Sequence, residues 1–278
     1  MSTRTSSPDR RTLPLLAADA VEVPWVIAEM GEQLQQDTSW EAHSHPTHEL
    51  LWNERGASTA MVGARRWTIT HAHGLWIPAG VVHTGVASAG THYRAAQFRA
   101  RSVRPIADVP VAVAITPLLR LLLERLQDEA LPAGSRAVTE AMVLDVLAPA
   151  PHEVALTVPP SRLLQPVVAA VLRDPRERRT LADWSDELGV HPRTVTREFR
   201  RHTGLGFAQW VTAARVQEAV ALLADGVDVG EVARCTGFSS ATAFGAAFRR
   251  VTGLRPSEYR PGGGPAGVRS DGTGGSST

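Results

Sequence analysis

The sequence contains no lysine and only one cysteine, Cys235. A single thiol excludes an internal disulfide framework and a cysteine-cluster metal site, and it fits a reducing compartment. The chain has 29 basic residues, all of them arginine, and 28 acidic residues, so it carries almost no net charge. Any surface that binds nucleic acid must therefore be a local patch, because the whole molecule exerts no strong field of one sign.

Long hydrophobic runs are absent as well. No stretch approaches the roughly 18 consecutive apolar residues that a membrane-spanning helix needs, and the N-terminus lacks the apolar core of a signal peptide. We therefore predict a cytoplasmic protein with no membrane partner. At 278 residues, the chain is long enough to form two domains that each bury a core.

Two patterns of hydrophobic spacing divide the chain. Over residues 21–98, short apolar stretches such as "STAMVG", "RRWTIT" and "GLWIPAG" are interrupted by glycine, proline and polar residues, and Trp67 and Ile69 alternate with threonines. This pattern predicts short strands, hence a small β-barrel or sandwich. From about residue 116 the spacing becomes helical, and "TPLLRLLLERLQDEA" and "SRAVTEAMVLDVLA" predict an antiparallel helix pair that either packs on the barrel or binds a partner.

The order of these segments, strands first and helices second, predicts an α+β protein with two domains. The predicted boundaries are an N-terminal arm over 1–20, a β-barrel over 21–115, a helical hinge and dimerisation region over 116–148, a proline-rich linker over 149–160, an all-α domain over 161–261 and a disordered tail over 262–278.

A helical unit occurs twice in the C-terminal half. "LADWSDELGVHPRTVTREFRRHTGL" and "VGEVARCTGFSSATAFGAAFRRVTGL" each combine a short helix, a turn centred on Gly189 or Gly237, a second helix and a closing "TGL". A short helix, a glycine-containing turn and a second helix form the helix-turn-helix signature. Two copies joined by a long amphipathic helix make this interpretation much stronger than one copy would.

The second helix of each unit has an apolar face and an opposite face available to DNA. In the first unit the inward residues are Val195, Phe199 and His202, and the outward residues are Arg193, Thr196, Arg197 and Arg200. Arginine can bond bidentately to guanine and threonine can touch a base edge or methyl group, so this face suits the major groove. In the second unit the outward residues are Thr242, Gly245, Ala246 and Arg249. Small residues approach DNA closely but read little, so we expect phosphate contacts and shape fit there.

Residues 161–260 resemble the DNA-binding domain of the AraC/XylS family of bacterial transcriptional regulators. The resemblance is carried by "LADWSDELGVHPRTVTREFRRHTG", "WVTAARVQEAVALLADG" and above all "VGEVARCTGFSSATAFGAAFRRVTGLRPSEYR". It implies two helix-turn-helix units that enter successive major-groove segments of promoter or operator DNA. It also implies that the bases are read by Arg193, Thr194, Thr196 and Arg197, whereas Ala246 stands where the family often has a polar or basic reader.

A histidine cluster lies in the first half. In "HSHPTHELLWNERG", His43, His45 and Glu49 have the same parity, so on an extended strand they share a face while His48 points away. "IPAGVVH" adds His83 after a turn. The residues alone leave three possibilities open, because such a cluster can ligate a metal, hold an organic ligand or form a hydrogen-bonded barrel lining.

These two stretches resemble the two cupin motifs, which implies a cupin-like barrel. In metal-binding cupins the four positions occupied here by His43, His45, Glu49 and His83 ligate one ion, and three nitrogens with one carboxylate suit Fe, Mn, Ni, Co or Zn. The resemblance is incomplete, since Asp37 and Ala72 replace expected glycines and Ala87 replaces an asparagine. AraC-type sensor domains often keep a similar pattern while binding a small organic molecule.

The combined interpretation is a sequence-specific, DNA-binding transcriptional regulator, a homodimer whose cupin-like domain senses a small effector or a divalent transition metal ion. The alternative is a metal-dependent cupin enzyme, a dioxygenase or an isomerase. A self-standing enzyme has no use for a double helix-turn-helix domain, so we expect no enzymatic activity.

Overall fold

The computed structural model describes residues 8–151 and 153–260. The strands are β1 (Asp9–Arg11), β2 (Ile27–Gln33), β3 (Thr38–His43), β4 (His48–Arg55), β5 (Ser58–Val62), β6 (Arg65–Ile69), β7 (His73–Ile77), β8 (His83–Ala87), β9 (His92–Phe98), β10 (Val111–Ala114) and β11 (Ala155–Thr157). The α-helices are α1 (Pro117–Arg125), α2 (Ala133–Val146), α3 (Gln165–Arg173), α4 (Leu181–Glu187), α5 (Pro192–Thr203), α6 (Phe207–Ala224), α7 (Val229–Cys235) and α8 (Ala241–Thr252). The predicted tail over 262–278 lies outside the described residues.

The N-terminal half forms two facing sheets, as the strand pattern predicts. The first sheet has the order β1-β3-β8-β5-β6-β11 and the second the order β10-β7-β4-β9-β2. Trp67, Ile69, Leu75 and Ile77 alternate with outward residues and are at most 2% exposed, and they pack in one cluster between the sheets. This alternation turns one face of each strand towards the space between the sheets, which gives a cupin-like β domain.

Helices α1 and α2 pack on the outer face of the second sheet. Leu119 and Val143 are fully buried there against Trp52 and Phe98. Helix α1 begins where it does because the Thr116 side chain accepts a hydrogen bond from the backbone N–H of Leu119 and a proline follows at the first turn. Of the two roles that the sequence leaves open for this pair, packing on the barrel is therefore confirmed.

The C-terminal half contains the two predicted helix-turn-helix units, α4–α5 and α7–α8, joined by α6. Gly189 and Gly237 have φ angles of 62° and 75°, a conformation that favours glycine because it has no Cβ. At Gly237 a Cβ would also lie 2.9 Å from Cα of Arg176. Across residues 8–151 and 153–260, no helix is long and apolar enough to cross a membrane.

Each unit has its own core, which contains the predicted inward residues Val195 and Phe199 in the first unit and Phe244 and Phe248 in the second. His202 is instead partly exposed, with its Nε2 3.5 Å from Oε2 of Glu198. The first core contains Trp184, Val195, Phe199 and Trp210, and the second contains Val220, Phe244, Phe248 and Tyr259. These side chains are at most 1% exposed. Their aromatic rings meet at tilted or edge-to-face angles, as between Phe244 and Phe248 with centroids 5.4 Å apart.

The predicted linker over 149–160 needs a correction, because it contains strand β11. This strand pairs antiparallel with β6. Leu156 packs in the core of the first helix-turn-helix unit, and Val154 packs in the core of the second. Alternation of valine and leucine in "VALTV" presents apolar side chains on one face, and their burial fixes the segment in place.

The predicted N-terminal arm over 1–20 is also partly structured. β1 runs parallel to β3 at the edge of the first sheet, and the N–H of Asp9 donates to the carbonyl of Asp37 at 2.8 Å. The edge of β3 is therefore paired rather than open to solvent.

Candidate functional site

The histidine stretch forms a corner between the two sheets. The expectation of a single extended strand is wrong, because β3 ends at His43, β4 begins at His48, and the chain crosses between sheets over 44–47. His43 is nevertheless paired directly with His83 across β3 and β8. The corner thus brings side chains from both sheets into the barrel interior.

The four side chains predicted as metal ligands meet at this corner. Nε2 of His83 lies 3.3 Å from Oε2 of Glu49, and Nε2 of His45 lies 3.4 Å from Oε1 of the same carboxylate. One ligand atom of each of His43, His45 and His83 lies within 4.8 Å of the other two. His43, Glu49 and His83 are buried, and His45 is partly exposed.

Hydrogen bonds fix the ring orientation of two of the histidines. Nδ1 of His43 donates to the carbonyl of Glu41 at 2.7 Å, and Nδ1 of His83 donates to the carbonyl of Val81 at 3.1 Å. A carbonyl only accepts, so the proton of each neutral ring lies on Nδ1 and Nε2 keeps its lone pair. This is the arrangement in which imidazole ligates a metal.

Burial and the neighbouring groups shift the pKa values of this cluster in different directions. Burial lowers the pKa of His43. Burial would raise the pKa of Glu49, but the close approach of His83 at 3.3 Å and the neighbouring imidazoles outweigh it and lower that pKa. Burial also opposes the charged form of His83, yet Glu49 raises the pKa of this imidazole. A metal ion would have to displace any proton held between His83 and Glu49, because a ligating imidazole must be unprotonated at its donor atom.

The donor set fits a cation. Its atoms converge in a buried site, and Oε2 of Glu49 is buried without a well-formed hydrogen bond. A buried carboxylate oxygen in this state is costly unless a positive group satisfies it. Three imidazoles and one carboxylate are the ligand types that divalent transition metals prefer.

A cavity of about 280 Å³ opens in front of this cluster. Its wall includes Trp40, Leu51, Ile69 and Tyr93, and Gln97 lines it beside the histidines. Gln97 was not predicted as a site residue. The signal for it is the polar side chain at an inward position of the strand "HYRAAQF", where the pattern otherwise calls for an apolar residue.

A larger open cleft of about 1240 Å³ lies between the two halves of the chain. His71 and His73 line it, and the ring of His73 stacks on Tyr259 with centroids 5.0 Å apart. The carboxylates of its wall are Glu54, Glu218, Asp225 and Glu258. The candidate metal ligands converge at the smaller cavity, which we therefore take as the candidate effector site.

The predicted reading face of α5 is accessible. Arg193, Arg197 and Arg200 are exposed, and Thr194 and Thr196 are partly exposed. Within the described part of the chain these three guanidinium groups make no ion pair, whereas the neighbouring Arg201 lies 3.4 Å from Glu198. Helix α5 therefore presents uncompensated positive charge.

The outward face of α8 carries mostly small side chains. Thr242 and Arg249 are exposed, as predicted, and Ala246 lies between them. Gly245 sits in the middle of the helix, and a Cβ built there would meet no atom within 4 Å. The absence of a side chain at Gly245 is therefore not required by packing.

A cupin-like barrel joined to a double helix-turn-helix domain is the architecture of a transcription factor with a ligand-binding domain. Residues 29–144 match the family model for the AraC-like ligand binding domain, and residues 184–262 match that for the helix-turn-helix domain. The chain belongs to the AraC family of transcriptional regulators. This confirms the resemblance and makes the chain a DNA-binding regulator rather than an enzyme.

Relatives in two bacteria illustrate the extent of the similarity. The chain is 26% identical to the transcriptional regulator NimR of Escherichia coli over 221 residues, which cover 78% of this chain and 81% of NimR. It is 34% identical to the regulator RipA of Corynebacterium glutamicum over 104 residues, which cover 37% of this chain and 31% of RipA. The solved DNA-binding domain of AdpA, in complex with a target DNA, is 36% identical with a TM-score of 0.34, covering 36% of this chain and 91% of that one.

Proposed function

We propose that this regulator reads promoter or operator DNA in the cytoplasm mainly through α5. Arg193, Thr194, Thr196 and Arg197 contact base edges, and Arg200 contacts phosphate. From α8, Thr242 and Arg249 contact the DNA backbone. The observation that carries this assignment is the exposed arginine face of α5, which has no acidic partner among residues 8–151 and 153–260.

The test is a set of arginine variants measured by fluorescence anisotropy on selected binding sequences over a range of salt concentrations. Arg193→Ala and Arg197→Ala should each cost about 1–3 kcal/mol of binding and relax the preference for particular bases. Arg249→Ala should weaken binding to all sequences alike and reduce the salt dependence. Arg201→Ala is the control, since Arg201 pairs with Glu198. Unchanged base preference in the first two variants would contradict the assignment.

We further propose that His43, His45, Glu49 and His83 hold one divalent transition metal ion of the Fe, Mn, Ni, Co or Zn type. The convergence of their donor atoms, three of them on buried residues, supports this. A bound ion would supply positive charge and open coordination positions at the cavity. The cavity itself favours a small-molecule effector, because its 280 Å³ exceeds the roughly 150 Å³ of an apolar cavity that binds benzene.

Elemental analysis of the purified protein tests the metal site, with DNA binding measured before and after chelation. We expect about one ion per chain, lost in His45→Ala, and DNA affinity that changes on chelation. If the protein contains no ion and chelation does not change its affinity for DNA, the metal assignment fails. The remaining proposal is then an organic effector in the cavity.

We propose that the regulator is a homodimer formed through α1 and α2. Leu118 and Leu121 of α1 are 47% and 57% exposed, and Val138 and Met142 of α2 are 61% and 43% exposed. Leu121→Glu and Met142→Glu should give monomers in light scattering, whereas Val109→Glu, at an exposed apolar residue outside these helices, should not. A monomeric wild-type protein would refute the proposal.

A further inference from the structure

We propose that Gln97, held by Thr47, is a positioning residue that orients the carboxylate of Glu49 for a metal ion. This inference rests on the metal site proposed above and concerns residues outside the ligand set. It follows from a hydrogen-bonded chain that begins at the sheet corner and ends on Glu49.

The first link is the bond between Gln97 and Glu49. The antiparallel register of β4 and β9 places these two residues directly opposite each other. Nε2 of Gln97 donates to Oε1 of Glu49 at 2.6 Å, and both side chains are buried. A hydrogen bond to an ionised group is short and about twice as strong as one between neutral groups.

The second link fixes which way round the amide lies. An ionised carboxylate only accepts hydrogen bonds, so the NH₂ group of Gln97 must face Glu49 and its carbonyl oxygen must face away. That oxygen accepts the hydroxyl hydrogen of Thr47, which is also buried. The amide therefore has no alternative orientation that satisfies both neighbours.

Thr47 connects this chain to the corner that carries the ligands. It lies two residues after His45 and two before Glu49, in the segment that crosses from β3 to β4. The bond from Thr47 to Gln97 ties that segment to β9, which contributes no proposed ligand. As a result, Oε1 of Glu49 is held by Gln97 and Oε2 is directed to His83.

Groups that hold a metal ligand in this way raise metal affinity, and their loss commonly costs 10- to 100-fold. We therefore expect Gln97→Met, which keeps the length of the side chain but cannot donate, to weaken Co²⁺ binding by 10- to 100-fold. Thr47→Val, which keeps the shape but removes the hydroxyl, should weaken it in the same direction by less. The measurement is competition with a chelator, together with the visible absorption spectrum of the Co²⁺-loaded protein.

Ser58→Ala is the matched control. Ser58 lines the same cavity and is also bonded to an amide side chain, that of Asn53 at 3.1 Å, but the structure gives it no bond to Glu49. It should bind Co²⁺ like the wild type. Circular dichroism of the metal-free variants establishes that all of them are folded, and Gln97→Glu provides a second variant if Gln97→Met does not fold, with an altered spectrum expected.

The outcomes separate this inference from the metal site itself. If wild-type protein binds Co²⁺ and Gln97→Met binds it with the same affinity and spectrum, the positioning role is overturned while the metal site stands. If wild-type protein binds no Co²⁺, Ni²⁺ or Zn²⁺, the metal site fails and the role of Gln97 fails with it.

Discussion

At the scale of single residues, His48 shows that neighbouring histidines occupy different environments. His45 lies at the cavity, whereas His48 packs on Trp76 in the layer between the second sheet and the helices, with ring centroids 5.2 Å apart. Its Nδ1 accepts a hydrogen bond from the N–H of Ala79 at 3.0 Å, which requires that nitrogen to be unprotonated. Burial lowers the pKa of this imidazole below 6.5.

This lowered pKa predicts a pH dependence of stability. A histidine whose pKa is lower in the folded state binds fewer protons there than in the unfolded chain, so the free energy of unfolding falls as the pH drops below about 6.5. We expect metal-free His48→Asn, which keeps an acceptor but cannot titrate, to lose less stability than wild type between pH 7 and pH 5.5.

Denaturant unfolding at several pH values measures this difference. The pKa values of His43 and His71 are also lowered by burial, so these two residues make the free energy of unfolding depend on pH in both proteins. Above pH 8 the two curves should run parallel. Equal slopes below pH 6.5 would show that His48 does not titrate as inferred.

Residue types and spacing predicted that these four side chains belong to one cluster, but they did not predict the residues that hold the cluster in place. His43, His45, Glu49 and His83 stand out because imidazole and carboxylate side chains recur at motif spacing. Gln97 and Thr47 carry no such pattern, since their role depends on which strands pair. Register between β4 and β9 is a long-range property, and it alone places Gln97 opposite Glu49.

At the scale of elements, α8 contains a glycine that packing does not explain. Glycine in the middle of a helix costs about 0.5–1 kcal/mol relative to alanine, and no atom lies within 4 Å of a Cβ built at Gly245. Because this position lies on the outward face of a helix-turn-helix unit, we infer that it lets the backbone approach DNA closely.

Gly245→Ala should therefore shift two measurements in opposite directions. Alanine should stabilise the protein against denaturant by about 0.5–1 kcal/mol and should weaken DNA binding in anisotropy. Gly134→Ala is the control, because Gly134 in α2 also has open space around its Cβ position and lies far along the chain from the reading helices. Unchanged DNA affinity in Gly245→Ala would contradict the inference.

The helices of the C-terminal half were predictable because their signals are local. Gly189 and Gly237 mark the turns, and apolar residues four apart mark the buried faces. Strand β11 was missed for the opposite reason. Its three residues lie among prolines, and its partner β6 is nearly ninety residues away, although the alternation of Val154, Leu156 and Val158 did indicate a strand.

At the scale of the whole molecule, the barrel and the reading domain share a partly buried polar contact. The guanidinium of Arg66 in β6 donates to Oε1 of Gln217 in α6 at 2.7 Å, and Nε2 of Gln217 donates back to the carbonyl of Arg66 at 2.6 Å. Gln217 is 2% exposed, and burial lowers the pKa of Arg66. Nearby, the indole N–H of Trp210 donates to the carbonyl of Thr157 at 2.8 Å.

Removing one partner of this contact should weaken the association between the barrel and the C-terminal helical domain. Gln217→Ala leaves the Arg66 guanidinium and carbonyl without their partner, at a cost of about 1–3 kcal/mol. We expect faster hydrogen exchange at the amides that hold β11, such as Val158, which donates to the carbonyl of Ala64. Thr212→Ala in the same helix, whose hydroxyl bonds only within α6, is the control. Exchange in β11 equal to wild type would exclude a coupling role for Gln217.

The division into two domains was predictable from composition and spacing, but their contact was not. A glutamine in α6 and an arginine in β6 are unremarkable in the sequence, and only the path of the chain brings them together. The same holds for the corner at residues 44–47, where a proline-containing stretch moves the chain from one sheet to the other.

Strand β11 has a consequence for how this protein can be divided or recombined. It completes the first sheet of the barrel, yet Val154 and Leu156 fill the cores of the two reading units. A cut before it removes a strand from the barrel, and a cut after it leaves a hole in each reading core. In a chimaera that exchanges the N-terminal domain between such regulators, the β11 segment must therefore fit both the barrel sheet and the two helix-turn-helix cores.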